Sequence, residues 1–186
     1  MSHLDYEINK ELGECYLFMG ELDKAEGYYQ KAASSNGIHP DPYLGLATIA
    51  VQRGELAEAL VLYSKAHGIG ATDKTFAGIG LVKMELGQKA EALDLFIEAA
   101  GRNPENMVAL LSMIRLGHEL DELEKVVPHL ENYLSIDPEK SDVRYSLAGC
   151  MVCLDRKEEA QAQLELIVEK DPAFAPAREL LEQLHR

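Results

Sequence analysis

The sequence predicts an all-α protein, an α-solenoid of stacked helix–turn–helix repeats, and three features agree on it. Gly20, Ala25, Tyr29 and Ala32 return as Gly54, Ala59, Tyr63 and Ala66, then as Gly87, Ala92, Phe96 and Ala99, at steps of 34 and 33 residues. An apolar–small pair precedes each glycine by eight and seven residues: Leu12-Gly13, Leu46-Ala47, Ile79-Gly80. Downstream, Pro104, Pro138 and Pro172 stand 34 apart.

Each repeat reads as two helices. Before the glycine, apolar residues recur three and four apart (Leu12, Tyr16, Met19; Tyr43, Leu46, Ala50), the mark of an amphipathic helix. After it, Leu22, Ala25, Tyr29 and Ala32 continue the stripe on a second helix. The glycine suits the turn because it takes positive φ without a Cβ clash. The alanines let the paired helices approach closely and the aromatic fills the gap beside them. Proline, with no N–H and a fixed φ, closes the unit just past its second helix.

The units fall at 6–39, 40–72, 73–106, 107–140 and 141–174, within a single array over 1–186, and a helix over 175–186 (Ala177 to Leu184) caps the end. In units four and five, Asp121 and Asp155 replace the turn glycine, Val126 and Ala160 hold the small site, and Leu130 and Leu164 the aromatic one. Tyr133 and Ile167 stand where alanine is usual, so wider helix contacts are expected there. Pro128 is expected within the first turn or so of its helix, where its missing N–H is tolerable.

This pattern resembles the tetratricopeptide repeat (TPR) family, whose 34-residue helical hairpin carries small, aromatic and proline positions at these offsets. The resemblance covers nearly the whole chain. It implies a right-handed superhelix whose first helices line a concave groove. Stacking neighbours would then bury what one hairpin leaves exposed, at about 25 cal/mol per Å². The polar face of the last helix (Arg178, Glu179, Glu182, Gln183) would cover the terminal unit.

Composition narrows the function. With 18 Lys+Arg against 32 Asp+Glu the net charge is −14, the wrong sign for nucleic-acid binding by phosphate neutralisation or for a polybasic membrane anchor. No apolar run approaches the roughly 20 residues that span a bilayer. Met1, Ser2, His3 and Leu4 lack a charged segment leading into an apolar one, so no secretory signal is expected. Three cysteines (Cys15, Cys150, Cys153) are too sparse for a disulfide framework, and a cytoplasmic location is the expectation.

Catalytic and metal chemistry finds little support. Cys150 and Cys153 form C-x-x-C, but two ligands do not close a tetrahedral zinc site. Cys150 shares its repeat position with Cys15, a small buried site, and Cys153 falls three residues on, toward the groove. Both read as small core residues, with redox sensitivity of Cys153 the lesser alternative. His118-Glu119 lacks the second histidine of a helical zinc-hydrolase motif. No nucleophile elbow or phosphate loop appears, and Gly78 and Gly80 are helical repeat positions. No enzyme activity, metal or cofactor is expected.

In this register the groove positions are Glu7, Lys10, Glu14, Leu17, Phe18; Asp41, Leu44, Thr48, Val51, Gln52; and Lys74, Ala77, Leu81, Met84, Glu85. The last two units contribute Val108, Leu111, Arg115, His118, Glu119 and Asp142, Tyr145, Gly149, Val152, Cys153. The expected partner-binding residues are Leu17, Leu44, Val51, Leu81, Met84, Leu111, Tyr145 and Val152, with Lys10, Lys74 and Arg115 as polar contacts. One subgroup of the family grips a peptide carboxylate with a five-residue clamp. Lys10 and Lys74 match it, but Glu14, Gly45 and Gly78 occupy its other positions, so that ligand is not expected. The leading expectation is a non-enzymatic protein-interaction scaffold binding a protein or peptide segment in the groove. Alternatives are a recognition arm of a larger multidomain enzyme, such as a glycosyl- or methyltransferase, and a self-assembling scaffold.

Overall fold

The computed structural model describes residues 3–35 and 38–185. Met1 and Ser2, Asn36 and Gly37 of the expected first unit, and Arg186 of the expected capping helix lie outside the described residues. The described residues form an all-α helical repeat in two compact bodies, Met1–Arg102 and Asn103–Arg186. The first contains α1 (His3–Phe18), α2 (Leu22–Ser35), α3 (Asp41–Gln52), α4 (Leu56–Ile69), α5 (Asp73–Glu85) and α6 (Lys89–Arg102). The second contains α7 (Met107–Glu119), α8 (Leu123–Ile136), α9 (Ser141–Cys153), α10 (Lys157–Lys170) and α11 (Ala175–Leu184).

One turn closes every hairpin. Gly20, Gly54 and Gly87 adopt φ of 77°, 78° and 77°, and Asp121 and Asp155 take the same left-handed region at 58°. The residue after each turn donates its N–H back to the helix it leaves: Glu21 to Tyr16 O, Glu55 to Ala50 O, Gln88 to Lys83 O, Glu122 to Gly117 O and Arg156 to Met151 O, at 2.7–2.9 Å. This six-to-one bond is the Schellman closure, which satisfies a carbonyl the helix end would otherwise orphan. Aspartate serves because its short polar side chain is among the few that tolerate this conformation.

The second helices stop before the expected prolines: α6 ends two residues short of Pro104, α8 of Pro138 and α10 of Pro172. The residue between is Asn103, Asp137 or Asp171, whose side-chain oxygen accepts the N–H two residues on at 3.0–3.2 Å. Pro128 departs from expectation. It is the sixth residue of α8, past the first turn, and removes the donor that would meet the Glu124 carbonyl. Both residues are exposed, so water can serve that carbonyl. The start of α5 carries the described buried polar residue, Thr75. Its Oγ1 accepts from Thr72 N at 3.0 Å and donates to Thr72 O at 2.8 Å, and Thr72 Oγ1 accepts from Thr75 N at 3.3 Å.

The core follows the small–aromatic–small pattern. Ala25, Ala32, Ala59, Ala66, Ala92 and Ala99 are fully buried where the second helices meet their neighbours. Beside them, Tyr29 lies on two glycines at once. A Cβ on Gly13 would stand 2.9 Å from its ring, and one on Gly45 would stand 2.2 Å away. Tyr63 presses on Gly78 in the same way at 2.3 Å, and Phe96 on Gly80 at 2.9 Å. Gly45 and Gly78, which stand at clamp positions of the family, are therefore seats for aromatic rings. In the second body Val126, Leu130, Ala160, Leu164 and Ile167 fill the equivalent places and are buried, as is Tyr133.

Two core expectations are overturned. Cys150 is buried, but Cys153, three residues on at the end of α9, is exposed, and so is Cys15, at the same repeat position as Cys150. The position is covered by the second helix of the preceding hairpin, as Ile49 is by Ala25 and Tyr29, and no described helix precedes α1.

Three stability outcomes follow from this packing and from the turns. Gly45→Ala and Gly78→Ala should destabilise by about 1–2 kcal/mol, since overpacking exceeds the gain in helix propensity. Gly27→Ala, whose new methyl meets nothing within 4 Å, should stabilise by about 0.5–1 kcal/mol. Asp121→Gly and Asp155→Gly should each raise stability by about 0.5–1 kcal/mol by relieving a left-handed non-glycine residue. Urea denaturation midpoints at constant m-value read all five.

Candidate protein-binding site

In the first body the first helices α1, α3 and α5 carry Leu17, Leu44, Val51, Leu81 and Met84, all half-buried. Leu44 and Val51 pack against the cluster of Ala47, Ala50, Ala59, Tyr63 and Val82, and Leu17 packs beside Tyr29 and Ile49. Part of the expected apolar strip is thus spent on internal packing. Thr48 donates its hydroxyl to Leu44 O at 2.9 Å and lies 3.2 Å from the Tyr63 hydroxyl, so its polar group is also satisfied internally.

The expected polar contacts differ among themselves. Lys10 Nζ is held by Glu7 at 3.1 Å and Glu11 at 3.3 Å, and the bond to Glu7 pushes its pKa above the ordinary lysine range. Its charge is already answered within α1. Arg115 is tied to Glu119 at 3.1 Å on an exposed surface, where such a pair contributes little. Lys74 is exposed.

In the second body the site has more definition. Leu111 is 59% exposed on α7, an apolar side chain largely in water. Val152 and Tyr145 are half-buried on α9, with the Tyr145 ring tilted against Phe174 at 5.8 Å. Beside Tyr145 opens a cavity of about 280 Å³, walled by Ile114, His118 and Leu123 on one side and by Ser146, Gly149, Cys150 and Cys153 on the other. Ser146 donates its hydroxyl to Asp142 O at 2.9 Å within its own helix, so the polar groups left on a largely apolar wall are chiefly His118 and the Tyr145 hydroxyl.

The cavity has a local cause. In repeat register Gly149 stands where α5 carries Leu81, and a Cβ built on it meets nothing within 4 Å. A missing side chain leaves the space open. Burial, with the neighbouring Cys153 adding to it, pushes the Cys150 thiol up to about 11, so it is a protonated, inert wall residue. Cys153 is exposed at the mouth.

Of the expected binding residues, only Tyr145 lines this cavity. His118, Gly149 and Cys153 had groove positions but were not among the expected contacts, and Ile114, Leu123, Ser146 and Cys150 were missed. The signal available in the sequence was a glycine at a position where every other unit carries a larger side chain (Glu14, Thr48, Leu81, Arg115).

Among the described residues no group of three His, Cys, Asp or Glu side chains could hold a metal ion. No helix among them is long and apolar enough to cross a membrane.

Comparison with known proteins fits this architecture. Two family models, each described as tetratricopeptide repeat, match residues 6–73 and 118–184. The chain is 33% identical over 66 residues to the BBSome complex member BBS4 of Bos taurus, a stretch that is 36% of this chain and 12% of that protein. The chain therefore corresponds to a small part of that curated relative. Among solved structures it resembles YrrB, a TPR protein described as having an unusual peptide-binding site, with TM-score 0.66 and 19% identity over 94% of this chain and 90% of that one. It also resembles MamA (TM-score 0.67, 18% identity, 92% and 94% covered) and PilF of Pseudomonas aeruginosa (0.72, 18%, 89% and 76%). At these identities the structures speak for the fold alone. Repeat spacing, Schellman-closed hairpins, buried small sites and the two family matches together place this chain in the tetratricopeptide repeat family.

Proposed function

We propose that the chain is a non-enzymatic interaction scaffold that takes an apolar side chain of a protein or peptide partner into the cavity between α7 and α9. The cavity's lining carries this reading: an opening of about 280 Å³ with largely apolar walls. That volume falls just below the range of about 300–1,000 Å³ usual for small-molecule sites, and it suits one large side chain. Burying such an anchor contributes about 1.5–3 kcal/mol. Leu111 extends the apolar surface along α7, where a second anchor can lie.

Charge supplies selectivity. At −14 the chain attracts segments whose anchor is flanked by Lys or Arg and slows encounter with acidic ones. The peptide-binding description of YrrB supports the same class of ligand by analogy of fold. Lys10 is discounted as a carboxylate clamp because Glu7 and Glu11 already hold it.

Selection of a displayed random-peptide library on the wild-type chain should enrich peptides pairing Leu, Met or Phe with Lys or Arg. Gly149→Leu fills the cavity from a position with open space around it and should weaken those peptides at least about tenfold, the loss of about 1.4 kcal/mol. Leu111→Glu, at an exposed site, should weaken them less. Helical circular dichroism and melting temperature should stay at wild-type values in both. Undiminished binding to Gly149→Leu would remove the cavity as the site.

A further inference from the structure

The residue after each hairpin turn and the residue three further on open the second helix. In four of the five hairpins a cation of the chain meets a carboxylate there. Lys24 reaches Glu21 at 3.2 Å, Lys125 reaches Glu122 at 2.6 Å and Arg156 reaches Glu159 at 2.6 Å. In the third hairpin Lys83 comes from the helix before and reaches Glu91 at 2.9 Å. The second hairpin carries Glu55 and Glu58 at these positions. Both are exposed, and neither carboxylate has a hydrogen-bond or ion-pair partner among the described residues. A helix start favours an acid through its dipole, which accounts for the carboxylate in every hairpin. It does not account for the missing cation.

The pair borders a groove of about 360 Å³ within the first body, where α3 packs against both α2 and α4. Leu46 and Ile49 of α3 and Leu62 of α4 give it an apolar lining. Its α2 side shows how such a pair is closed. Asp23 and Glu26 have the same spacing as Glu55 and Glu58, and the Arg53 guanidinium donates to both, at 2.6 and 2.7 Å. Gln30 adds a bond to Glu26 at 2.9 Å. Arg53 is spent there, so it does not serve Glu55 and Glu58.

We propose that this groove takes an arginine of a partner protein, with the guanidinium bridging Glu55 and Glu58 and the stem lying on Leu46 and Leu62. Charge complementarity identifies the occupant: two unanswered carboxylates, on a chain of net charge −14, stand where the other hairpins hold a cation. A guanidinium fits better than an ammonium because its fixed fork meets two carboxylates at once, as Arg53 does. Its apolar stem uses the lining, which a bare metal ion does not. The groove lies in the first body and is independent of the proposed peptide cavity between α7 and α9.

The probe is the capped tripeptide Ala-Arg-Ala, which carries no large apolar anchor for the other cavity, titrated into the isotopically labelled chain and followed by NMR. Saturable shifts should gather at Leu46, Glu55, Glu58 and Leu62. The same peptide with citrulline, which keeps the shape and loses the charge, should bind about tenfold more weakly. Glu58→Lys rebuilds the pairing of Glu21 with Lys24 and of Glu122 with Lys125, so it should fill the seat from within and weaken Ala-Arg-Ala about tenfold. Its melting temperature should stay at the wild-type value, since the site is exposed. Glu85→Lys makes the same change in net charge at an exposed site off the groove and should leave the affinity unchanged, as should Gly149→Leu. Equal affinity for the citrulline peptide, or equal losses in Glu58→Lys and Glu85→Lys, would overturn the proposal. So would the same shifts appearing as the chain is concentrated without peptide, because the occupant would then be a second copy.

Discussion

The first body depends on one contact: an aromatic ring laid flat against helix backbone where a side chain has been deleted. Tyr29 reaches the glycine of its own hairpin's first helix, Gly13, and that of the next hairpin, Gly45. It is therefore both the filling of one hairpin and the fastener to the next. Tyr63 repeats the step onto Gly78. The fully buried alanines at either side set the helix separation at which the rings fit. Contacts of this kind reach only adjacent hairpins, which makes stability a nearest-neighbour quantity.

The second body meets the same demand with different side chains, and its openings follow from that choice. Leu130 and Leu164 stand where the rings stand in the first body, and Gly117 lies against Val126, 2.6 Å from where its Cβ would be. No ring comes to rest on Gly149, and nothing else fills its place. An unfilled position in the first body would break the fastening between hairpins. Here the result is a cavity, because buried Leu147, Cys150 and Met151 hold α9 from its other sides.

Much of this was legible in the sequence because the repeat constrains what each position must do. The turns were readable even where glycine was lost, since aspartate is one of few residues that enters the left-handed region. The prolines marked helix ends correctly because a missing N–H is a local property. The failures share a cause: each depended on neighbours that a repeat position does not specify. Cys15 has the same register as Cys150 yet is exposed, because α8 packs against the helix of one and no described helix precedes that of the other. Leu44 and Val51 are half-buried because the adjacent cluster takes up part of their surface. Gly45 and Gly78 looked like empty clamp positions, and only the tyrosines across from them reveal their purpose. Pro128 sits deeper in α8 than the spacing suggested, tolerated because the Glu124 carbonyl that loses its donor belongs to an exposed residue.

A repeat that buries one hairpin with the next leaves a surplus of apolar surface at any interruption, and the interruptions are where recognition can be built. Polarity can remove the surplus, as on the solvent side of α11. A missing side chain can turn it into a cavity, as at Gly149. It can also stay exposed among the described residues, as along Leu4, Ile8 and Met19. A partner side chain that enters the cavity supplies what a residue of the chain itself supplies at the same position elsewhere. Binding by this fold is then an extension of its folding, and its specificity rests on the few positions where the repeat departs from itself.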